Sequence, residues 1–445
     1  MSIDVLTTVA EVLERRGLLG KDLLVGVSGG LDSVCLYRLL CEFRDTHGGR
    51  LEVAHVDHGR RATSATDASF CRALADRNGS RFHVFCPDAR ELAAPDGFQG
   101  AARRVRRRFF EEVLQARGLD CVVLGHHADD QVETVLYRLL RGAGLRGAAG
   151  MEEYVPPYLR PLLGVRRSDL EALATARGWE HREDPTNRTD HYARNRVRHE
   201  VLPALRRAHP GADAGLLRFA RLAADDDRVL TRVARDALQR LRVVEPEGVR
   251  LRVADLKVLE AALRRRIYLA LWQDLCGTVE ALHANHLEAV DALLEPGKAH
   301  RFAPVPGPGS FAVSYDHLWL LHPEHVVSAP FSARFPGRCG APLHTPAGVL
   351  HWTRELPGAR TGVAVPGDAA EGVTVRSRRA GDRVLMPRPR KIKDLLIEAR
   401  VPLWRRSSAL VLQDGPRIFG VLGRGFVVSG KDSAAGWVWL EPPCR

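Results

Sequence analysis

Leu23-Leu24-Val25-Gly26-Val27-Ser28-Gly29-Gly30-Leu31-Asp32-Ser33 joins an apolar run to a glycine turn and then to helix-forming residues. That order predicts a strand, a tight turn and a helix N-terminus. Backbone N–H groups at such a turn point outward unpaired, and the helix dipole favours an anion there. Gly29 and Gly30 let the chain turn tightly and approach a ligand closely. No Lys-Ser/Thr pair follows a distant glycine, so the loop is not a Walker A motif. Any Ser-Gly-Gly turn can also simply cap a helix, and the short pattern alone leaves both readings open.

The surrounding chain repeats the alternation. Apolar runs at 23–27, 51–56, 81–85 and 121–125 alternate with helical patterns at 33–43, 64–77, 100–117 and 129–140. A further helix follows Ser168, where Ser168 and Glu171 have capping-box spacing. Strand–helix alternation predicts an α/β fold, a parallel twisted sheet with helices on both faces. Polar clusters then fall at strand ends: Ser28 at the first, His55-Val56-Asp57-His58 at the second, His126-His127 at the fourth. Ligands of open α/β sheets bind at such ends.

Length and composition bound the rest. A chain of 445 residues accommodates two to four domains. No segment approaches twenty uninterrupted apolar residues, and Met1-Ser2-Ile3-Asp4 does not begin a secretory signal, so a cytoplasmic protein is expected. The net charge is +12, mostly arginine, which suits a nucleic-acid partner. Eight cysteines are scattered singly with no Cys-x-x-Cys pair, against a zinc ribbon or iron–sulfur cluster. From about 205 to 294 the pattern is wholly helical, with no strand signal. Residues 301–357 are rich in proline and glycine with short β runs, and a second compact unit follows. The expected domains are a catalytic one over 1–204, a helical one over 205–300, a β-rich extension over 301–361 and a C-terminal domain over 362–445.

The densest cluster is His126-His127-Ala128-Asp129-Asp130-Gln131-Val132-Glu133-Thr134. In the helix it opens, Val132, Val135, Leu136, Leu139 and Leu140 form one face. Asp130, Glu133, Thr134, Tyr137, Arg138 and Arg141 form the opposite stripe. Acids in the first turn and arginines in the last suit the helix dipole, which is the bland explanation. A solvated face needs no His-His-x-Asp-Asp start at a strand end, however. Asp130 and Glu133, one turn apart, suit a shared cation such as magnesium or a ligand ammonium. The His55-Val56-Asp57-His58 segment reads either as part of a metal centre with His126 and Asp129, or as a nucleotide contact shaped by Asp57. Arg103-Arg104-Val105-Arg106-Arg107-Arg108 is a solvated helix face or, in part, a phosphate contact.

Taken in order, these segments resemble the tRNA(Ile)-lysidine synthases, a family of ATP pyrophosphatases with a pyrophosphate (PP) loop. The match runs through 28–33, 55–58, 102–106, 126–134, Arg160-Pro161-Leu162-Leu163, Asp184-Pro185-Thr186-Asn187 and Arg194-Asn195-Arg196-Val197-Arg198. Arg376, Arg378, Gly381-Asp382-Arg383, Lys391, Lys393 and Val401-Pro402 resemble the family's tRNA-contacting C-terminal domain. The resemblance implies a long-form enzyme, with a helical middle domain and a small α+β C-terminal domain. Such enzymes join free L-lysine to C2 of the wobble cytidine of an isoleucine tRNA with anticodon CAU. ATP first adenylates the C2 oxygen, pyrophosphate leaves, and lysine displaces AMP.

Carried onto this chain, the resemblance implies that Ser28, Gly29, Gly30, Leu31, Asp32, Ser33, His55 and Asp57 hold ATP. Asp32 would also bind Mg2+. Asp130 and Glu133, with His126 nearby, would take the lysine ammonium groups, and Arg106 would steady phosphate or base. Arg194, Arg198, Arg376, Arg378, Arg383, Lys391 and Lys393 would contact tRNA. No membrane and no obligate protein partner is expected. The chain departs from the family pattern at Gln99, Arg107 and Arg60, which touches local contacts rather than the reaction. A thiolase of the same fold would carry paired catalytic cysteines, which are missing. A metal-dependent phosphoesterase would leave the Ser-Gly-Gly turn without a task.

Overall fold

Strand β1 (Leu23–Gly26) is central to a six-stranded sheet of order β3-β2-β1-β4-β6-β5. The other members are β2 (Leu51–Val56), β3 (Arg81–Phe85), β4 (Cys121–Leu124), β5 (Tyr154–Val155) and β6 (Tyr158–Leu159). β1 runs parallel to β2 from Leu23↔Leu51 to Gly26↔Ala54, and parallel to β4 from Leu23↔Cys121 to Gly26↔Leu124. Only the edge strand β5 runs antiparallel to its neighbour. The computed structural model describes residues 4–44, 48–57, 59, 64–88, 90–92, 97–182, 193–279, 282–323, 331–335, 341–345, 347–357, 361–366, 372–384, 388–423, 426–429 and 434–441.

Alternation along each strand sends successive side chains to opposite faces. Leu23, Val25, Val53, Cys121 and Val123 pack on one side in a core with the helices Val5–Arg15, Leu31–Glu42 and Arg167–Arg177. Leu24, Ala54 and Val122 pack on the other against Phe109, Phe110 and Val113 of the helix Gly97–Arg117. Both faces are covered, so the strands read as continuous apolar runs. The helices begin at 31, 97 and 128, three residues at most from the expected starts at 33, 100 and 129. The cap of Arg167–Arg177 differs from expectation: Ser168 lies inside the helix, and Asp169 Oδ2 instead accepts from Arg166 N at 3.3 Å.

Chain order decides where a ligand can sit. β2 and β3 extend the sheet to one side of β1, and β4 returns to the other. The loops after β1 and β4 therefore leave in opposite directions and open a crevice at their carboxyl ends. Residues 28–33 and 126–130 border it.

The chain divides into two compact units, residues 1–228 and 229–445, within the long helix Ala212–Leu241. The second unit differs from the expected all-helical stretch over 205–294. The hairpin Val243–Glu245 and Gly248–Arg252 joins strands His300–Phe302, Ser310–Ser314 and His317–Leu321 in one five-stranded sheet. Its core centres on Tyr268, Trp272 and Phe311. Strands of three to five residues beside long helices leave too little period-2 pattern to read. Strands Ser332–Arg334 and Gly348–Thr353 pair instead with Thr374–Ser377 and Ala434–Leu440, so strand pairing crosses both expected boundaries, at 300 and at 361.

Candidate active site

The turn after β1 is built from its own side chains. Ser33 Oγ donates to Gly30 O at 3.0 Å and accepts from Ser28 N at 3.1 Å. Ser28 Oγ lies 3.2 Å from Ser33 Oγ. Gly29 has φ +90°, in the left-handed region that a side chain resists. Gly125, just after β4, serves close approach: a Cβ there would stand 3.0 Å from the carbonyl carbon and oxygen of Asp32. Its absence lets the first turn of the helix Leu31–Glu42 pack against the end of β4. His55 is buried, with Nδ1 2.8 Å from Val27 O, beneath the turn rather than in the crevice. Asp57 Oδ1 accepts from Gly59 N at 2.9 Å, an Asx turn that shapes its own loop. His58 and residues 183–192, with the expected Asp184-Pro185-Thr186-Asn187 turn, lie outside the described residues.

Three consecutive acidic or amide residues of the second cluster point to three different partners. Asp129 Oδ2 accepts from Arg167 N at 2.9 Å and so starts the helix Arg167–Arg177. Gln131 clasps the Met151 backbone, donating from Nε2 at 2.9 Å and accepting at 2.7 Å. Asp130 remains at the crevice, with Oδ2 3.5 Å from His127 Nε2. The polar stripe of the helix Ala128–Leu140 is not a solvated face, since Glu133 is 4% and Thr134 9% exposed, whereas Leu140 is 64% exposed. Burial of that stripe argues for chemistry over solubility.

His127, rather than His126, joins the two clusters. The residue is 1% exposed, and its Nε2 lies 3.5 Å from Asp32 Oδ2 as well as from Asp130 Oδ2. His126 is half-buried at the same strand end. The sequence signal for choosing between adjacent histidines is absent, because only packing decides which one turns inward. Burial opposes a charged His127 ring, yet the contact with Asp32 and the charges of Asp130, Asp32 and Asp129 hold its pKa above the ordinary 6.5. Burial likewise opposes a charged Asp32, but His127, then Arg167 and Arg198, hold that carboxyl below the ordinary 3.8. Asp130 N also reaches His127 Nδ1, which requires an unprotonated nitrogen, but at 3.4 Å this bond is long and the carboxylates prevail.

The sign of the pH effect follows. Charged His127 contributes stability below pH 6.5, lost as pH rises through its raised pKa; Asp32 contributes above pH 3.8, lost as pH falls through its depressed one. Asp32→Asn is expected to lower the His127 pKa, because burial then meets less opposing charge. An NMR titration showing the same pKa in variant and parent would contradict the pairing.

Asp32 Oδ1 is buried and has no hydrogen-bond partner. A carboxylate oxygen so placed beside an anion-binding turn fits Mg2+, which takes one or two carboxylates and completes its shell with phosphate and water. Among the described residues no three of His, Cys, Asp and Glu are grouped to hold a metal, so they do not build the phosphoesterase centre that His55, His126 and Asp129 suggested.

Arg198, expected on tRNA, is turned to the carboxylates. Its Nη2 is 3.0 Å from Glu133 Oε2 and 3.4 Å from Asp130 Oδ1, and its Nε pairs with Glu133 Oε1. It rides on the π-helical turn Val197–Val201, a geometry common at functional sites. Removing it would strand Glu133, so Arg198→Ala is expected to destabilise the fold by about 2 kcal/mol, discounted because Arg198 is part-exposed. A urea midpoint within error of the parent would show that the pair contributes nothing.

The remaining basic residues divide. In the 103–108 run, Arg106 is half-buried while Arg103, Arg104, Arg107 and Arg108 are exposed. Arg107 pairs with Glu111 and Arg108 with Glu91, so this part is a solvated ion-pair face. In the second unit Arg376 is 6% exposed and bonds Asp382 at 2.8 and 2.9 Å and Gln413 at 2.7 Å. This corrects its expected tRNA contact: Arg376 is an internal brace for the turn at Asp382. Arg378 is half-buried, while Arg383, Lys391 and Lys393 are exposed on or beside the Arg383–Val384/Arg390–Lys391 hairpin. The Arg194 side chain lies outside the described residues.

Comparison with known proteins finds a family match within each unit. The PP-loop domain family matches residues 3–205, and the TilS substrate C-terminal domain family matches residues 373–440. The chain is 30% identical over 438 residues to a tRNA(Ile)-lysidine synthase of Geobacillus kaustophilus, covering 93% of this chain and 94% of the relative. It is 32% identical over 436 residues to a tRNA(Ile)-lysidine synthase of Geobacter sulfurreducens, covering 91% and 89%. It is 33% identical over 424 residues to one of Methylococcus capsulatus, covering 92% and 93%.

Proposed function

The chain belongs to the tRNA(Ile)-lysidine synthase family, and from that premise we propose that it uses ATP to join L-lysine to C2 of the wobble cytidine in an isoleucine tRNA with a CAU anticodon. ATP adenylates the C2 oxygen and releases pyrophosphate. The lysine ε-amine then forms a C–N bond at C2 as the C–O bond to AMP breaks. The product pairs with A, so the tRNA decodes AUA as isoleucine. The observation that carries this reading is the meeting, at neighbouring strand ends, of the 28–33 anion turn with the Asp130 and Glu133 carboxylates.

The turn's N–H groups, with Ser28 and Ser33, hold the phosphates that leave as pyrophosphate. Asp32 Oδ1 would hold Mg2+, which offsets phosphate charge when bound. Asp130 and Glu133 bind the lysine ammonium. Arg198 now occupies these two carboxylates, so lysine binding exchanges one cation for another without leaving a buried charge unpaired. Asp130 is the more exposed of the pair, 15% against 5% at the side chain, and it also lies beside His127. It is therefore the base that takes the ammonium proton before attack. Arg106 steadies phosphate or the cytidine. Exposed Arg383, Lys391 and Lys393, in the C-terminal substrate domain, bind the tRNA backbone.

No helix among the described residues is long and apolar enough to cross a membrane. The reaction belongs in the cytoplasm, where tRNA, ATP and lysine meet, and it needs no protein partner. Incubation with ATP, labelled lysine and transcribed tRNAs tests the whole reading. Label is expected in the CAU isoleucine tRNA alone. Label in no tRNA, or in all, would reject it.

A further inference from the structure

The 28–33 turn has no cation of its own; its ionisable side chain is Asp32, an acid. A polyphosphate-binding loop of the Walker type carries a lysine for this purpose. Here a basic residue from elsewhere in the chain is set against the turn. Arg182 N donates to Gly29 O at 2.9 Å. Its stem runs beside the glycine: the point where a Cβ on Gly29 would stand is 3.8 Å from Arg182 Cγ, 3.7 Å from Phe70 Cδ1 and 3.4 Å from Cys71 Sγ. The guanidinium rests over the Phe70 ring, 5.2 Å from its centroid. Arg182 is exposed, and among the described residues no carboxylate forms an ion pair with it.

We propose that Arg182 is a phosphate-binding residue of the ATP site. Its backbone holds Gly29 in the left-handed conformation, and its guanidinium leaves Phe70 to pair with the outer phosphates of ATP and then with the departing pyrophosphate. The exchange is favourable in direction, because a cation–π contact at an exposed ring is weaker than a charge-assisted, bidentate bond to phosphate. Cys71, beneath the turn, is no competitor for this role: burial pushes its thiol up to about 12, so it stays neutral. The inference rests on the ATP-using reading of the same turn.

Arg182→Ala and Arg182→Lys in the full chain test it, since both keep the residue 182 N–H and hence the bond to Gly29. For Arg182→Ala, the KM for ATP and the dissociation constant for inorganic pyrophosphate, measured by calorimetry, are each expected to rise about tenfold. The KM for lysine and the melting temperature without nucleotide are expected to stay unchanged, and Arg182→Lys to restore most of the loss. Unchanged pyrophosphate affinity would overturn the proposal. So would a loss that tracks a fallen melting temperature and is not rescued by lysine, which marks a merely structural residue. Failure of the ATP-using reading looks different: the parent protein itself would then bind neither ATP nor pyrophosphate.

Discussion

Asp130→Asn is expected to cut lysine transfer about a thousandfold while ATP-dependent adenylation of the tRNA, followed as pyrophosphate release, persists. The number reflects loss of a general base together with one of two charges on the lysine ammonium. Folding is expected to survive. Asp130 Oδ2 accepts the capping bond from His127 N at 3.2 Å, and an asparagine oxygen can accept it too. Glu133 keeps its pairing with Arg198, so no buried charge is stranded. The check is a pair of assays on one preparation, labelled-lysine transfer and pyrophosphate release. Transfer within tenfold of the parent would show that the lysine pocket is elsewhere, and loss of both activities would move Asp130 to the first step.

Asp32→Asn is expected to remove both activities, again by about a thousandfold, because adenylation precedes lysine attack. Asp32 stands in the first turn of the helix Leu31–Glu42, directly in the anion turn, with one oxygen toward His127 and the other without a partner. An amide keeps the size but loses the charge that would hold Mg2+. The helix loses a favourable acid at its N-terminus, about 0.5 kcal/mol, too little to unfold it. Excess Mg2+ is expected to restore part of the pyrophosphate release, since a weaker site fills at higher concentration. Normal release without added metal would separate Asp32 from ATP altogether. The two variants are thus expected to divide the reaction, Asp32→Asn failing at the first step and Asp130→Asn at the second.

Much of the first unit was legible in advance, and the reasons are local. An apolar run, a glycine turn and a helix start leave their marks within ten residues, as in 23–33. Alternation of such marks suffices to predict a parallel sheet, and parallel strands buried on both faces read as plain apolar runs. The second unit was read less well. The hairpin Val243–Glu245 and Gly248–Arg252 is too short to compete with the long helix before it, and its pairing partner His317–Leu321 lies far along the chain.

The amino-acid order by itself determined the anion turn, the acidic helix start and the family pattern connecting them, because each is a run of neighbours whose chemistry shows in their types and spacing. It pointed to the strand ends as the expected ligand site for the same reason. Only the tertiary structure decided which of two adjacent histidines joins Asp32 to Asp130, that Arg198 neutralises Glu133 from 65 residues away, and that Arg376 is buried on Asp382. It likewise set Arg182 against Gly29. These are matters of direction and distance between parts of the chain remote in sequence. A residue's type tells what bond it can make, and packing alone tells which partner is within reach.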